Sequence, residues 1–280
     1  DDKFNMQKEK YEEKKAKIQF EESKDDIYNK HLLINKRITK AIREIQNLEK
    51  YYVILDEKKQ LLEDMKTRLY NLERIKGDLD GYIYSLTKQP YSNLTHKLFQ
   101  IKELIVGLED DINKYFEYID LLRENTVEAY ENSNDFSIQI NEIYNDIRIT
   151  NHQVLIDLYK DKVFILLNKL KQLTQLTKSK PVDVDLVNEK NKFLSQKCED
   201  LILSMKDSLS LLKMSKDIII FTNQYRSSFS DVEEVLKHAS LNYEKGDFEF
   251  AIDQISDVLK EVHPTAYAEM VKKKGNLDNE

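Results

Sequence analysis

The residue types that most often perform chemistry are thinly scattered along this chain. No histidine stands in a His-Glu-x-x-His or Glu-x-x-His motif, the spacings that bring metal ligands to one helix face. Glycine-rich phosphate loops and Gly-x-Ser-x-Gly are also missing, and neighbouring carboxylates are expected by chance when 34% of the residues are charged. We therefore predict no enzymatic activity, no metal site and no cofactor. The histidines are His31, His96, His152, His238 and His263.

Cys198 is the only cysteine, so the chain cannot form an intramolecular disulfide. Such cysteine usage is typical of a reducing compartment. Cys198 falls between Leu194 and Leu201 on a row of apolar residues at helical spacing. We expect a packed, unreactive thiol rather than a nucleophile.

The segment from Ile218 to Phe229 contains polar residues that could hydrogen-bond to a partner. Apolar residues there exceed the width of one helix face, and polar groups are interspersed among them. The apolar residues could pack against the C-terminal helices while the polar ones cap a helix end. Alternatively, apolar surface rimmed by Arg and Tyr marks a partner-binding patch. The candidate patch comprises Asn223, Gln224, Tyr225, Arg226 and Ser227.

The elements that position these residues are predicted by an apolar seam, a row of apolar residues in alternating steps of four and three. Four unbroken heptads of this kind, with Glu and Lys between them, predict a helix lying lengthwise against others. Only five Gly and three Pro occur, so turns are few and the helices must be long. We predict an all-α, elongated bundle. The seam residues are Leu94, Leu98, Ile101, Ile105, Leu108, Ile112, Tyr115, Ile119 and Leu122.

The first segment, about residues 3–86, continues the same spacing through Tyr52 and Leu55. Two successive three-residue steps then follow between Lys59 and Met65. Such a phase slip either overwinds a supercoil locally or marks a helix boundary, and periodicity does not choose between the two.

Turn residues divide the remainder of the chain. Thr150 to Gln153 has turn character, and a helix is predicted from Gln153 to Thr177. Lys178 to Pro181 forms a loop, after which Leu186 to Phe229 is predicted as one helix.

The C-terminal part is predicted as a short helical hairpin. Ser230 and Glu233 have the spacing of a capping box, in which each side chain bonds the other residue's amide. Gly246 suits the left-handed position after a helix, and Asp247 can cap the next helix. From Val271 onward we expect a frayed tail.

Charge excludes one class of partner. The net charge of −7 argues against a nucleic acid held by phosphate contacts. Lys and Arg are mixed with Asp and Glu, so we expect no extended face of one sign. The longest apolar run, Val163 to Leu167, is far shorter than the ~20 residues of a membrane span. Because the sequence begins with Asp1, we interpret it as a fragment whose parent could carry an anchor elsewhere.

The segment from Ile219 to Ser227 is Ile-Ile-Phe-Thr-Asn-Gln-Tyr-Arg-Ser. It resembles a segment close to Ile-Gln-Tyr-Gly-Asn-Arg-Tyr-Arg-Ser in the septation-ring formation regulator EzrA family of Gram-positive bacteria. Matching residues are Asn223, Tyr225, Arg226 and Ser227; departing residues are Ile220, Thr222 and Gln224. Further similarity lies in Gly246-Asp247-Phe248, Ala251 and Val262-His263-Pro264, and more weakly in Leu122-Arg123-Glu124, Ala129 and Pro181 to Val184.

The resemblance covers roughly residues 92–264 and implies spectrin-like, antiparallel three-helix repeats that share long helices in a curved rod. On that basis we expect one repeat at 1–91, partly shared with a preceding repeat, and a second at 92–180. A C-terminal repeat with a short helical hairpin would occupy 181–264, and a tail 265–280.

The resemblance also implies a function. The family restrains assembly of the tubulin-like division protein FtsZ and links the division ring to cell-wall synthesis, from the cytoplasmic face of the membrane at the septum. Expected partners are FtsZ and other division or cell-wall synthesis proteins, with a membrane anchor outside this fragment. Asn223, Tyr225 and Arg226 match a patch associated with midcell recruitment. We expect a monomer or a weak homodimer.

Two other functions remain open on sequence grounds. A coiled-coil spacer or homodimeric scaffold would need no specific patch. A tetratricopeptide-type peptide binder would need several equivalent hairpins, and only one, ending near Pro264, is apparent.

Overall fold

The computed structural model describes residues 2–85 and 89–277, in which every regular element is an α-helix. The prediction of an all-α fold is confirmed. None of the described helices combines the length and the apolar character that crossing a membrane requires. The helices are α1 Asp2–Leu48, α2 Asp56–Tyr84, α3 Tyr91–Ile149, α4 Gln153–Lys178, α5 Val184–Asn223, α6 Ser230–Lys245, α7 Phe248–Val262 and α8 Pro264–Leu277.

The chain divides into two compact units. The first contains Asp1–Val127 and Lys178–Asp185, and the second contains Glu128–Thr177 and Leu186–Glu280. Helix α3 therefore contributes residues 91–127 to the first unit and residues 128–149 to the second.

In the first unit, α1 and α2 are antiparallel. The Tyr28 hydroxyl donates to Asp80 Oδ1 at 2.7 Å, and Asn35 Nδ2 donates to Glu73 Oε1 at 2.9 Å. Contacts thus move backward along α2 as they move forward along α1, as in a helical hairpin.

Helix α3 runs parallel to α1 in the same unit. The Thr95 hydroxyl donates to the Ala16 carbonyl at 3.1 Å, and Arg37 Nη2 donates to Asn113 Oδ1 at 2.6 Å. The three helices form an up-down-up bundle, which the heptad seam of α3 fills. All nine predicted seam residues of α3 from Leu94 to Leu122 are buried.

Helix α1 ends earlier than the apolar spacing predicted. It stops at Leu48, and the chain passes Tyr52 in an extended conformation before α2 begins at Asp56. The predicted helix through Tyr52 was wrong, because this segment pairs with a distant one. Val53 N–H donates to the Val182 carbonyl at 2.8 Å, and Val182 N–H donates to the Tyr51 carbonyl at 2.7 Å. The helix boundary therefore precedes the phase slip at Lys59.

The second unit contains another set of three long helical segments. The Ser133 hydroxyl donates to the Leu170 carbonyl at 2.8 Å and joins α3 to α4. The Tyr159 hydroxyl donates to the Ser204 carbonyl at 2.8 Å and joins α4 to α5. A short turn at Thr150 to His152 connects α3 to α4, as the sequence predicted.

His152 in that turn anchors the hairpin formed by α6 and α7. Its Nε2–H donates to the Tyr243 carbonyl at 2.7 Å, because a carbonyl oxygen only accepts. Its ring meets Tyr243 and Phe248 edge-on, at centroid distances of 5.3 and 5.1 Å. Between α6 and α7, Gly246 has φ +88°, the left-handed conformation predicted for it.

The C-terminal residues correct the expectation of a frayed tail. Helix α8 begins at Pro264 and extends to Leu277. Proline suits the first position of a helix because that amide needs no partner. His263 Nδ1 accepts the Ala266 N–H at 3.1 Å and caps the helix, and Ala266 is buried. Predicted tail residues 278–280 lie outside the described residues.

Candidate partner-binding patch

The candidate patch lies where α5 ends and the chain turns toward α6. The sequence predicted helix as far as Phe229, but α5 ends at Asn223 and residues 224–228 form consecutive turns. Tyr225 N–H donates to the Thr222 carbonyl at 3.0 Å, and Ser228 N–H donates to the Tyr225 carbonyl at 3.0 Å. The turn therefore has an internally bonded backbone that fixes where its side chains start.

Tyr225 is the member of the patch that the structure turns inward. It is half-buried, and its ring lies 5.8 Å from Phe221 and 4.9 Å from His263, measured between centroids. Phe229 also meets His263, at 6.1 Å. These contacts tie the turn to the start of α8, so Tyr225 positions the patch rather than presenting a free side chain.

Arg226 is exposed and pairs with α6. Its Nη2 donates to Glu233 Oε1 at 3.1 Å, and Lys237 Nζ lies 3.3 Å from the same oxygen. These two cations, with the Arg226 hydrogen bond first, lower the pKa of Glu233. The predicted capping box was wrong, because the Glu233 carboxylate faces these cations. Ser230 is already the first residue of α6, and no side chain caps that helix.

A groove of about 380 Å³ borders the patch between α5 and α6. Asn223 and Arg226 line its α5 side, and Lys237, Leu241 and Glu244 line its α6 side. The side chains of Asn223, Gln224, Arg226 and Ser227 are all exposed. The structure thus assembles polar donors, both charge signs and an apolar wall in one groove, a combination suited to a polypeptide partner.

The structure supports packing of the apolar residues between Ile218 and Phe229, and partner binding by the polar residues stays a prediction. Ile218 is buried in a cluster with residues of α6, α7 and α8, and Phe221 packs against that cluster. Ile220 points outward and is 62% exposed. The apolar residues therefore mostly hold the C-terminal helices, while the polar ones remain accessible.

Sequence reasoning missed the α6 side of this groove. Lys237 and Leu241 come more than ten residues after Arg226, and only the fold of α6 back along α5 brings them together. Their spacing of four residues on a helix was the available indication that they share a face.

Other reactive groups are buried or dispersed. Cys198 is fully buried, as predicted, and burial raises the pKa of its thiol to about 12. Among residues 2–85 and 89–277, no cluster of His, Cys, Asp and Glu could hold a metal ion.

These features define a class of protein: an α-helical bundle protein with an accessible polar groove near its C-terminal helices. The family model described as "Septation ring formation regulator, EzrA" matches residues 6–273. The chain belongs to this family of septation-ring regulators, which confirms the resemblance seen in the sequence. Searches of curated proteins and of solved structures gave no significant match.

Proposed function

We propose that the chain is a non-catalytic cell-division regulator that restrains FtsZ ring assembly and scaffolds division proteins at the septum. The observation that carries this proposal is the family match over residues 6–273, since that family regulates formation of the septation ring. The parent protein would act at the cytoplasmic face of the membrane.

The patch of Asn223, Gln224, Tyr225, Arg226 and Ser227 is the proposed partner surface. Its support is geometric: four of its side chains are exposed, two of them, Asn223 and Arg226, line a groove that also has an apolar wall, and Tyr225 fixes the turn that carries them. Arg226 is the strongest candidate for a direct contact, because arginine offers several donors in a fixed planar arrangement.

Binding of purified FtsZ to the immobilised chain tests the function and the patch together. Wild-type chain should retain FtsZ, and Arg226→Asp should weaken retention at least about tenfold, because it places like charge beside Glu233 and removes the donors. Arg123→Asp is the matched control: Arg123 has the same 49% side-chain exposure and also pairs with a carboxylate, that of Asp120.

The outcomes separate the two parts of the proposal. No binding of FtsZ by the wild-type chain contradicts the function. Equal binding of FtsZ by the wild type and by Arg226→Asp contradicts only the assignment of the patch. That result would be expected if the chain had no specific binding patch. In cells, full-length protein with Arg226→Asp should lose midcell localisation, whereas Arg123→Asp should keep it.

A further inference from the structure

A second groove lies within the second compact unit, between the C-terminal half of α4 and the N-terminal half of α5. It has a volume of about 720 Å³. Leu173 and Leu194 form apolar wall, and Lys169, Lys190 and Lys192 stand around it. We call this the basic groove.

Its charge is unlike that of the rest of the chain. Residues 162–177 and 186–198 contain six lysines and a single carboxylate, Glu189, in a chain of net charge −7. None of the six lysines has a described carboxylate within 4.0 Å of its amine. These two stretches are separated in sequence but become neighbours in the fold. Positive charge concentrated in a groove attracts an acidic partner.

The groove also offers apolar surface to such a partner. Phe193 lines it and is 56% exposed. Lys197 Nζ lies over the Phe193 ring, 6.0 Å from its centroid, and the exposed remainder of the ring adds apolar area that an acidic partner could cover.

Helix α7 of the same chain has the complementary character. One face, which includes Ile252 and Ile255, is buried in the core. The other face exposes four carboxylates against one lysine, with Phe250 57% exposed among them. Helix α7 is about 22 Å long, and the part of α5 that lines the groove, residues 189–196, is about 12 Å long, so α7 is long enough to cover it. The carboxylates are Glu249, Asp253, Asp257 and Glu261, and the lysine is Lys260.

We propose that α7 of one molecule docks in the basic groove of a second copy of this chain, with Phe250 against Phe193 and the carboxylates facing the lysines. The two surfaces differ, so the contact is head-to-tail and leaves a free groove at one end and a free α7 at the other. Such contacts extend into open assemblies unless they close into a ring. A contact of this size, held largely by exposed charges, is weak and salt-sensitive.

Two charge-reversal variants test the contact from both sides. The groove variant is Lys169→Glu with Lys190→Glu, and the α7 variant is Asp253→Lys with Asp257→Lys; all four residues are exposed. Lys206→Glu with Lys213→Glu is the matched control, since both residues are exposed on α5 outside the groove. Circular dichroism should show equal helix content in every variant.

Analytical ultracentrifugation over a range of protein concentrations provides the readout. The wild-type mass should rise with concentration at low salt and return to the monomer at about 0.5 M salt, where charges are screened within a few ångströms. Each test variant should weaken self-association at least about tenfold, and the control should not. A 1:1 mixture of the two test variants should regain self-association, because the native α7 then meets a native groove and the reversed α7 meets a reversed groove.

Several results would overturn the proposal. A wild-type chain that stays monomeric at every concentration would do so, even if the groove then bound an acidic segment of another protein. Undiminished self-association of either test variant, or a mixture that stays monomeric, would also overturn it. None of these measurements requires FtsZ, so the outcome is independent of the proposed division function.

Discussion

Two buried tyrosines have opposite hydrogen-bonding environments. Tyr115 is fully buried on the α3 seam, and its hydroxyl has no hydrogen-bond partner among the described residues. Tyr159 is also buried, but its hydroxyl donates to the Ser204 carbonyl and lies 2.8 Å from Ser208 Oγ. Burial alone therefore does not tell what each hydroxyl contributes to stability.

The pair predicts opposite responses to removal of one oxygen. Tyr115→Phe should leave the free energy of unfolding unchanged or raise it, since it removes a polar group that is buried without compensation. Tyr159→Phe should lower that free energy by about 1–2 kcal/mol, because it leaves the partner groups unpaired. Urea unfolding followed by circular dichroism measures both, and equal destabilisation by the two variants would contradict the assignment.

We predict that His31 makes the stability of the first unit depend on pH. It lies on α1 and is 8% exposed, and its Nε2 is buried with no hydrogen-bond partner among the described residues. Burial, followed by the positive charge of Lys76, lowers its pKa, while Glu73 and Asp80 oppose the shift. The folded state therefore favours the neutral imidazole.

The sign of the pH effect follows from linkage. Below a pH of about 6.5 the unfolded chain takes up a proton at this histidine, whereas the folded chain resists it until lower pH. Stability is thus fully present above that pH and declines as the pH falls through it. His31→Gln should flatten the decline of the urea midpoint between about pH 7.5 and 5.5, and His96→Gln, at an exposed site, should not. An unchanged slope in His31→Gln would contradict the prediction.

At the scale of the elements, two glycines distinguish backbone conformation from helix propensity. Gly246 has φ +88°, and a Cβ added there would lie 3.2 Å from Val154 Cγ1. Gly77 lies inside α2, where an added Cβ would meet no atom within 4 Å. Only the first position requires glycine.

Alanine at these two positions should act in opposite directions. Gly246→Ala should lower the free energy of unfolding by more than about 1 kcal/mol, because it imposes a left-handed conformation and a close contact. Gly77→Ala should raise it by about 0.5–1 kcal/mol through helix propensity. Thermal unfolding of both variants is the check, and stabilisation by Gly246→Ala would be incompatible with the turn described.

Long helices were predictable because apolar spacing is local information, and the α3 seam is confirmed residue by residue. The end of α1 was not predictable from the sequence, because Tyr51 and Val53 pair with Val182, about 130 residues away. Helix α8 could have been inferred from Pro264 as a first helical residue. The predicted division into three repeats stays a prediction.

The candidate patch shows the same division between local and distant information. The residue types at Asn223, Arg226 and Ser227 were apparent from the sequence, and the structure places all three at an exposed helix end. The inward position of Tyr225 depends on His263, and the pairing of Arg226 depends on Glu233. His263 immediately precedes α8, and no periodic pattern in the sequence indicates that it contacts Tyr225.

For the whole molecule, the family assignment rests on a match across residues 6–273, whereas the motif similarity in the sequence covers about residues 92–264. The match therefore includes α1 and α2, for which only the heptad pattern agreed. It supports treating both compact units as parts of one division regulator.

The central claim is that this chain acts on the assembly of FtsZ. The most direct measurement is the amount of FtsZ polymer that sediments after addition of GTP, at increasing concentrations of the purified chain. We predict that polymer falls progressively as the wild-type chain is added, and less steeply with Arg226→Asp. Sedimented polymer that stays constant at every concentration of the wild-type chain would contradict the claim.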